Sequence, residues 1–251
     1  MMATARVGDR ETRDAAPVLA PAAGPPADWR AAFAPQRAAF AQQHDSPSWQ
    51  RDELAKRALD LLGAAALLLV LAPLLAVVAL LVKLDSRGPV LFRQQRVGRG
   101  GRPFVCLKFR SMRMDADQKV HAAYVAERIR QGLPLLKLQA DPRITRVGRF
   151  LRATSIDELP QLWNVLCGQM SLVGPRPAMA YEVELYDAAQ RQRLLVKPGI
   201  TGLAQVYSRG KGTLNEYVGH DLEYVARRNV WLDLKILLIT LPAVLRGHGA
   251  A

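Results

Sequence analysis

The longest uninterrupted run of apolar positions in the chain covers residues 61–82 and contains no charged or strongly polar side chain. A straight helix of this length would span about 33 Å, enough to cross the hydrocarbon core of a bilayer. The pattern therefore predicts one membrane helix, which we place within a segment bounded by residues 49 and 86.

Two features leave the topology of this run open between an ordinary crossing and a re-entrant hairpin. Pro73 lies at its midpoint, where a proline removes a backbone hydrogen bond and bends a helix. A spanning helix normally keeps its Lys and Arg residues on one side of the membrane. Here basic residues flank both ends of the run, as they would in a hairpin that enters and leaves by the same face: Arg51, Lys56, Arg57, Lys83 and Arg87.

After residue 86 the pattern becomes that of a small mixed domain. Residues 90–97 and 103–112 alternate like two strands joined by a Gly-rich turn. In the second strand we expect residues 105, 107 and 109 to form an apolar face, and the opposite face to carry Lys108 and Arg110. Helices are predicted at residues 115–131, from residue 155, and at 179–193, 214–227 and 230–245, the last lying along the membrane interface.

The predicted fold class is α+β: a mainly helical, membrane-associated domain with a re-entrant membrane helix hairpin, a small β-hairpin and interfacial amphipathic helices. The Ala/Pro/Arg-rich residues 1–48 precede the membrane segment 49–86, and residues 87–251 form the main domain. No apolar stretch follows the first Met, so this tail is not a secretory signal peptide. We expect it to be mostly disordered, with a short helix near residues 29–40.

Charge narrows the possible partners. The 35 Lys and Arg residues outnumber the 22 Asp and Glu residues, for a formal net charge of +13. Such a chain calls for nucleic acid, an anionic membrane face or phosphorylated substrates. No nucleic-acid motif is present and aromatic residues do not interleave with the basic ones, so nucleic acid is not expected as a partner. Cys106 and Cys167 lack metal-site or disulfide spacing and are interpreted as small hydrophobes.

The adjacent carboxylates Asp157 and Glu158 allow two interpretations. Locally they fit a capping box, with Ser155 as N-cap and Glu158 reaching back to its amide. Alternatively, a helix start surrounded by cations suits a phosphate, and a carboxylate there can hold Mg²⁺ or attack phosphorus. The basic residues around the pair in sequence favour the second interpretation: Lys108, Arg110, Arg113, Arg143, Arg146, Arg149, Arg152 and Arg176.

Several long motifs occur in order along the chain. They are KFRSM at 108–112, LRATSIDELPQLWNVLCGQMSLVGPRP at 151–177, KPGITGLAQV at 197–206, DLEYV at 221–225 and LDLKI at 232–236. With these motifs the chain resembles, from about residue 51 to residue 245, the bacterial sugar transferase family. These are monotopic phosphoglycosyl transferases, which begin glycan assembly on a polyprenyl phosphate carrier, and this chain is similar to their small form.

The resemblance implies roles for individual residues. Asp157 would be the nucleophile and the protein ligand of a Mg²⁺ cofactor. Glu158 would be the second catalytic carboxylate, orienting groups or assisting proton transfer. Lys108 and Arg152 match cations near the phosphates, and Pro175, Arg176 and Pro177 match a loop at the nucleotide end of the donor. Arg110, in the same KFRSM motif as Lys108, is a further substrate-binding candidate.

The reaction implied is transfer of a sugar 1-phosphate from a nucleoside diphosphate sugar, a UDP-sugar by the family's habit, to polyprenyl phosphate. Nucleoside monophosphate leaves, and the step opens exopolysaccharide, O-antigen or glycoprotein glycan assembly. The resemblance also implies the bacterial inner membrane, with the active site facing the cytoplasm. The sequence leaves open the sugar, the pathway and the oligomeric state, a homo-oligomer included.

The chain departs from the family pattern at two places, and its sequence is also compatible with two other functions. Ala72-Pro73 stands where relatives often have Ser-Pro, and Tyr207-Ser208 replaces an expected Asn-Gly. One alternative is a phosphatase or pyrophosphatase acting on lipid-linked phosphates through the same carboxylates, with water as the acceptor. The other is a non-catalytic, membrane-anchored basic scaffold.

Overall fold

The computed structural model of the protein describes residues 33–43, 46–113, 118–134, 141–208 and 212–245. Its α-helices are α1 (Ala34–Gln43), α2 (Pro47–Asp85), α3 (Gln118–Arg130), α4 (Arg146–Thr154), α5 (Gln161–Leu166), α6 (Ala180–Glu184), α7 (Leu203–Tyr207), α8 (Leu214–Arg227) and α9 (Val230–Leu245). Its strands are β1 (Leu91–Val97), β2 (Pro103–Phe109), β3 (Ser171–Val173) and β4 (Gly199–Thr201). Short 3₁₀ turns cover Arg99–Gly101, Ile156–Glu158 and Gln190–Leu195. Helices combined with two small sheets confirm the α+β class.

Helix α2 carries the apolar run of the sequence. The hydroxyl of Ser46 caps its start by accepting a hydrogen bond from the Trp49 amide at 3.3 Å. The helix continues through Pro73 and ends at Asp85. Among the described residues it is the one helix long and apolar enough to cross a membrane, and only 11% of its most apolar window is buried. The predicted apolar helix is therefore present, while its hairpin topology stays a prediction.

Both ends of α2 lie against the same domain. In its N-terminal half, the buried Asp60 accepts hydrogen bonds from the Ser171 hydroxyl and the Leu172 amide, both at 2.8 Å. At its C-terminal end, Asp85 accepts a hydrogen bond from the Val147 amide at 3.1 Å. The exposed apolar side chains of the helix lie mostly between these two attachments.

Strands β1 and β2 form the predicted antiparallel hairpin, in a register that pairs Leu91 with Phe109. The predicted division of β2 into an apolar and a cationic face is wrong. Phe104 and Cys106 are buried in the main core, Phe109 is buried in a separate cluster against α2, and Val105 is 45% exposed. The reason is tertiary, because the strand lies between the core and α2 and both of its faces meet apolar partners.

Strands β3 and β4 form a parallel pair at the centre of the domain, joining Ser171 to Gly199 and Val173 to Thr201. The main core surrounds this pair and includes side chains from α2, α5, α8 and α9. Such a two-stranded sheet has little stability by itself, so its geometry depends on the helices packed around it.

Other predicted elements agree with the structure or differ at their ends. Helices α8 and α9 match the predicted residues 214–227 and 230–245, and α3 matches the predicted polar helix. The helix predicted over 179–193 is instead α6 followed by the Gln190–Leu195 turn. The chain starts this new turn because the Asp187 carboxylate accepts a hydrogen bond from the Gln190 amide at 2.7 Å.

Part of the tail predicted for residues 1–48 is folded. Helix α1 corresponds to the short helix predicted near residues 29–40, and Phe33, just before it, is completely buried beside α6 and the Gln190–Leu195 turn. The folded part of the chain therefore begins before residue 49. Residues 1–32, where we predicted disorder, lie outside the described residues.

Candidate active site

Ser155 turns the chain sharply between α4 and the pair of carboxylates. Its backbone is left-handed, with φ 59° and ψ 15°, and it is the one residue other than glycine with positive φ in the described part of the chain. Such a conformation is uncommon for a non-glycine residue and often accompanies a functional site. It ends α4 and sends the chain into the Ile156–Glu158 turn, which carries Asp157 and Glu158.

The capping-box interpretation of these carboxylates is wrong. Ser155 makes no capping hydrogen bond through its side chain. The Glu158 carboxylate instead accepts a hydrogen bond from the ammonium group of Lys108 on β2, with Nζ and Oε1 2.5 Å apart. A lysine supplied by a neighbouring strand provides a charged partner, which binds a carboxylate more strongly than a neutral backbone amide does.

The charges around Glu158 hold it in its ionised form. Burial raises the pKa of this carboxyl, but the positive charges of Lys108, Arg176 and Arg96 outweigh that effect and bring its pKa below its ordinary value. The side chain is 37% exposed and that of Lys108 is 20% exposed. The pair is thus reachable from solvent, while cations from three separate parts of the chain surround it.

Asp157 shares the 3₁₀ turn with Glu158 and is 9% exposed. The described residues contain no group of three or more His, Cys, Asp or Glu side chains placed to hold a metal ion. Mg²⁺ is commonly held by only one or two carboxylates, with substrate phosphates and water completing its octahedron. Asp157 and Glu158 in one short turn fit that type of binding.

The Pro175–Arg176–Pro177 loop is fastened on both sides. From β1, the Arg96 guanidinium donates to the Pro177 carbonyl at 2.8 Å, and the Val97 amide donates to the Ala178 carbonyl at 2.9 Å. From the other side, Arg193 donates to the Arg176 carbonyl at 3.1 Å. The loop backbone is therefore fixed while the Arg176 side chain is left half exposed.

Arg176 is held as a cation beside the carboxylate pair. Burial lowers the pKa of its guanidinium, but the negative charges of Glu182, 3.6 Å away, and of Glu158 leave it raised. Arg96 is itself buried, and its burial, together with repulsion from Arg176, lowers the pKa of its guanidinium. The structure thus brings Lys108 and Arg176, both predicted as substrate-binding residues, to the carboxylates, and adds Arg96.

The two other predicted cations lie in different surroundings. Arg110 is only 3% exposed, and its guanidinium donates to the carbonyls of Val82, Ser86 and Arg87 at the C-terminal end of α2. It therefore caps the C-terminus of α2, where a cation is favoured by the helix dipole. Arg152 lies in the last turn of α4. The hydrogen bond from Arg143 is the main cause that lowers the pKa of Asp141, and the charge of Arg152 adds to this effect.

Sequence reasoning missed a buried charged group behind the Pro175–Pro177 loop. Arg193 lies 2.5 Å from Asp221 and donates to the Tyr186 hydroxyl at 2.6 Å. Arg193, Asp221 and Tyr186 are all buried. A signal was available, since a charged residue that directly precedes the apolar run Leu194-Leu195-Val196 is out of place unless it has a buried partner.

Comparison with known proteins gives a family. The family model described as "Bacterial sugar transferase" matches residues 51–247. The chain is 51% identical over 164 residues to the "Galactosyl transferase CpsE" of Streptococcus agalactiae, covering 65% of this chain and 36% of that protein. It is 46% identical over 165 residues to the "Undecaprenyl-phosphate galactose phosphotransferase" of Salmonella typhimurium, covering 65% of this chain and 35% of that protein.

A shorter relative is covered more fully. The chain is 41% identical over 177 residues to the "Exopolysaccharide production protein ExoY" of Sinorhizobium fredii, covering 68% of this chain and 76% of that protein. The two longer relatives are thus matched over about a third of their length, and the shorter one over most of it. Because the family model matches most of its length, this chain belongs to the bacterial sugar transferase family.

Proposed function

We propose that this protein transfers a sugar 1-phosphate from a nucleoside diphosphate sugar to a polyprenyl phosphate lipid, as the first membrane step of a bacterial glycan pathway. One relative, 45% identical over 172 residues, is named a UDP-glucose:undecaprenyl-phosphate glucose-1-phosphate transferase. Another is named an undecaprenyl-phosphate galactose phosphotransferase. These names support a UDP-sugar as the donor and undecaprenyl phosphate as the acceptor.

The arrangement of Asp157, Glu158 and Lys108 carries the proposal. Lys108 binds the Glu158 carboxylate, and Asp157 lies beside Glu158 in the same short turn. Phosphoryl transfer depends mainly on positioning and on neutralising the phosphate charge. Lys108, Arg96 and Arg176 provide that positive charge at Glu158, the residue that directly follows the proposed nucleophile Asp157.

In the first step a carboxylate oxygen of Asp157 attacks the phosphorus that bears the sugar. The bond from that phosphorus to the bridging oxygen of the donor breaks, and the nucleoside monophosphate leaves with the electron pair. The sugar phosphate is then bound to Asp157 as a mixed anhydride, a recognised form of covalent catalysis by aspartate. Arg176 would bind the phosphates at the nucleotide end of the donor.

In the second step a phosphate oxygen of the lipid attacks the same phosphorus. The bond between that phosphorus and Asp157 breaks, which regenerates the carboxylate and yields polyprenyl diphosphate sugar. Glu158, held by Lys108, would keep its position and charge throughout and orient the reacting groups. A two-step route lets a soluble donor and a lipid acceptor use one site in turn.

Mg²⁺, bound through Asp157, would neutralise part of the phosphate charge when present. Among the residues of this chain, Asp157 supplies the oxygen ligand, while Lys108 and Arg176 neutralise charge from the protein side. Arg152 would be a further cation for the phosphates, because it lies five residues before Asp157 and close to the turn at Ser155.

We further propose that α2 enters and leaves the inner membrane by the cytoplasmic face and holds the site at the interface. Two observations support this topology: both ends of the helix are bound to one domain, and basic residues flank both ends of its apolar run. A cytoplasmic site suits a soluble nucleotide sugar, and an interfacial site suits a lipid whose phosphate emerges from the bilayer.

Asp157→Asn tests the reaction, because it keeps the shape of the side chain and removes the nucleophile. Incubation of the wild-type protein with UDP-sugar and no lipid should give an adduct with the mass of one sugar phosphate, measured on the intact protein. The variant should give no adduct, and its release of nucleoside monophosphate with lipid present should fall by about three orders of magnitude or more.

Glu127→Gln is a matched control, since Glu127 is an exposed carboxylate on α3 whose contacts are with Arg130 and Gln131 on the surface of the described part of the chain. It should leave adduct formation and turnover unchanged. Substantial turnover by Asp157→Asn would refute covalent catalysis by this residue. If the wild-type protein produced only free sugar phosphate and no sugar-bearing lipid, the transferase itself would be refuted.

A further inference from the structure

A cleft of about 1000 Å³ lies away from the carboxylate pair. Its walls are α1 with the first turn of α2, the connection between β1 and β2, and the segments around Cys167 and Lys197. Asp157, Glu158, Lys108 and Arg176 do not line it. Phe104, one of its lining residues, precedes Lys108 by four residues on β2, or about 13 Å along an extended strand.

The cleft is strongly cationic. Arg37, Arg99, Arg102 and Lys197 line it, and no Asp or Glu does so within the described residues. Arg99 lies 3.4 Å from Glu53. For the side chains of Arg37, Arg102 and Lys197, the described part of the chain supplies no hydrogen-bond or ion-pair partner. Burial lowers the pKa of Lys197, and the nearby cations, Arg57 first among them, lower it further against the opposing charge of Asp60.

The lining also has an aromatic component. Phe40 and Trp49 contribute rings whose centroids are 5.8 Å apart, and Phe104 also lines the cleft. The Arg228 guanidinium lies over the Trp49 ring, 4.3 Å from its centroid. Arginine guanidinium groups suit the bidentate recognition of phosphate, and aromatic side chains suit a planar ring. The volume is at the upper end of the range for small-molecule sites, and it exceeds what a lone phosphate would fill.

The position of the cleft favours a soluble ligand over a lipid headgroup. Trp49 lies twelve residues before the apolar run of α2 begins at Leu61, which corresponds to about 18 Å along a helix. If α2 enters the membrane as proposed above, the cleft lies on the aqueous side of the interface. Helix α1 lies outside the family match of residues 51–247, so one wall of the cleft is not accounted for by the family.

We propose that this cleft is a second ligand site, which binds a soluble nucleotide between α1 and the main domain. The phosphates would contact Arg37, Arg102 and Lys197, and the base would lie against the aromatic side chains. The ligand would join α1 to the β1–β2 connection through charges that otherwise repel each other.

Calorimetric titration of the full chain in nanodiscs with ADP and with UDP tests the proposal. Arg37 and Arg102 are exposed, so Arg37→Gln combined with Arg102→Gln should leave the fold and the basal transfer activity unchanged. The affinity for the bound nucleotide should fall about tenfold or more in this double variant, because two charge-assisted contacts are lost.

Two matched controls locate the binding. Arg130→Gln removes an exposed arginine on α3, and Arg176→Gln removes a cation of the proposed donor site; both should keep the affinity of the cleft. Unchanged affinity in the double variant, or no binding of either nucleotide, would overturn the proposal. The proposal would also be overturned if inorganic phosphate or phosphatidylglycerol vesicles bound as tightly as nucleotide and lost affinity in the same double variant. Turnover by the double variant, measured in parallel, separates failure of this site from failure of the proposed transferase.

Discussion

At the scale of single residues, Lys108 is the nearest charged partner of Glu158. It approaches from β2, 50 positions away in sequence, and binds Glu158 at 2.5 Å. The charge of Glu158 thus depends on a balance between burial, which raises its pKa, and the cations Lys108, Arg176 and Arg96, which lower it. Removing the nearest cation should shift that balance toward the protonated acid.

Lys108→Met should therefore raise the pKa of Glu158, because burial then meets less opposition. If the ionised Glu158 is needed for transfer, the acid limb of the pH profile of kcat/KM should move to higher pH in this variant. In the wild-type protein Glu158 stays ionised below its ordinary pKa, so its protonation should limit activity only in more acidic solution. The measurement is sugar phosphate transfer across a pH series.

Two controls separate this charge effect from loss of structure. Lys108→Arg keeps a cation beside Glu158 and should restore the acid limb most of the way toward its wild-type position. Lys235→Met removes a lysine on α9 and should leave the profile unchanged. An acid limb that does not move in Lys108→Met would contradict the assignment of Glu158 as an ionised residue of the site.

At the scale of elements, the pairing of β3 with β4 explains why position 199 of the KPGITG motif is a glycine. Gly199 pairs with Ser171 in β3, and its amide donates to the Pro175 carbonyl at 2.8 Å. A Cβ atom at Gly199 would lie 2.0 Å from the backbone nitrogen of Gly174. This close approach of two backbones places the start of the Pro175–Pro177 loop, so the glycine supports the candidate site indirectly.

Gly199→Ala should destabilise the protein, because backbone atoms rather than a flexible side chain must move to relieve the contact. Overpacking typically costs about 1–3 kcal/mol, and we expect a loss at or above the upper end of that range. The measurement is the free energy of unfolding of the detergent-solubilised protein in denaturant. Activity should fall as well, since the shift would reach the Arg176 loop.

Gly219→Ala is the matched control within the same domain. Gly219 lies in α8, and among the described residues no atom outside its own helical turn lies within 4 Å of a Cβ placed there. Alanine is favoured over glycine in a helix interior by up to about 1 kcal/mol, so this variant should be as stable as the wild-type protein or slightly more stable. Equal stability of the two variants would show that the backbone contact at Gly199 is not restrictive.

At the scale of the whole molecule, buried polar contacts join α2 to the domain. Lys56 on α2 lies 2.5 Å from Asp233 on α9, and Tyr224 on α8 donates to the other carboxylate oxygen of Asp233 at 2.8 Å. Asp60, one turn further along α2, binds β3. Breaking a buried ion pair by removing one partner is strongly destabilising, so these contacts fix the direction in which α2 leaves the domain.

The re-entrant topology predicts that both ends of α2 are accessible from the same side of the membrane. Single cysteines placed by Gln50→Cys and Ser86→Cys, in a Cys167→Ser background, should react with a membrane-impermeant maleimide only in inverted vesicles. Cys167 is replaced because it is exposed, whereas Cys106 is buried. Arg227→Cys on the exposed surface of the domain serves as the reference. Labelling of positions 50 and 86 from opposite sides would establish an ordinary crossing.

Local patterns in the sequence were sufficient for several elements. Apolar periodicity and turn residues predicted the β-hairpin, α8, α9 and the apolar part of α2, because these signals come from neighbouring residues. The motif containing Asp157 and Glu158 pointed to the pair that the structure surrounds with cations. The ends of helices were less predictable, as at Asp187, where a side-chain hydrogen bond starts a new turn.

Tertiary structure alone decided how the charged residues are used. Arg110 and Lys108 are two positions apart in sequence, yet one closes the end of α2 and the other binds Glu158. Local patterns gave no sign of the left-handed turn at Ser155, and the charge of Arg193 before an apolar run indicated a buried partner without identifying it. The physical reason is that a charge finds its partner through space: Lys108 binds a carboxylate 50 residues away, and sequence spacing carries no record of that distance.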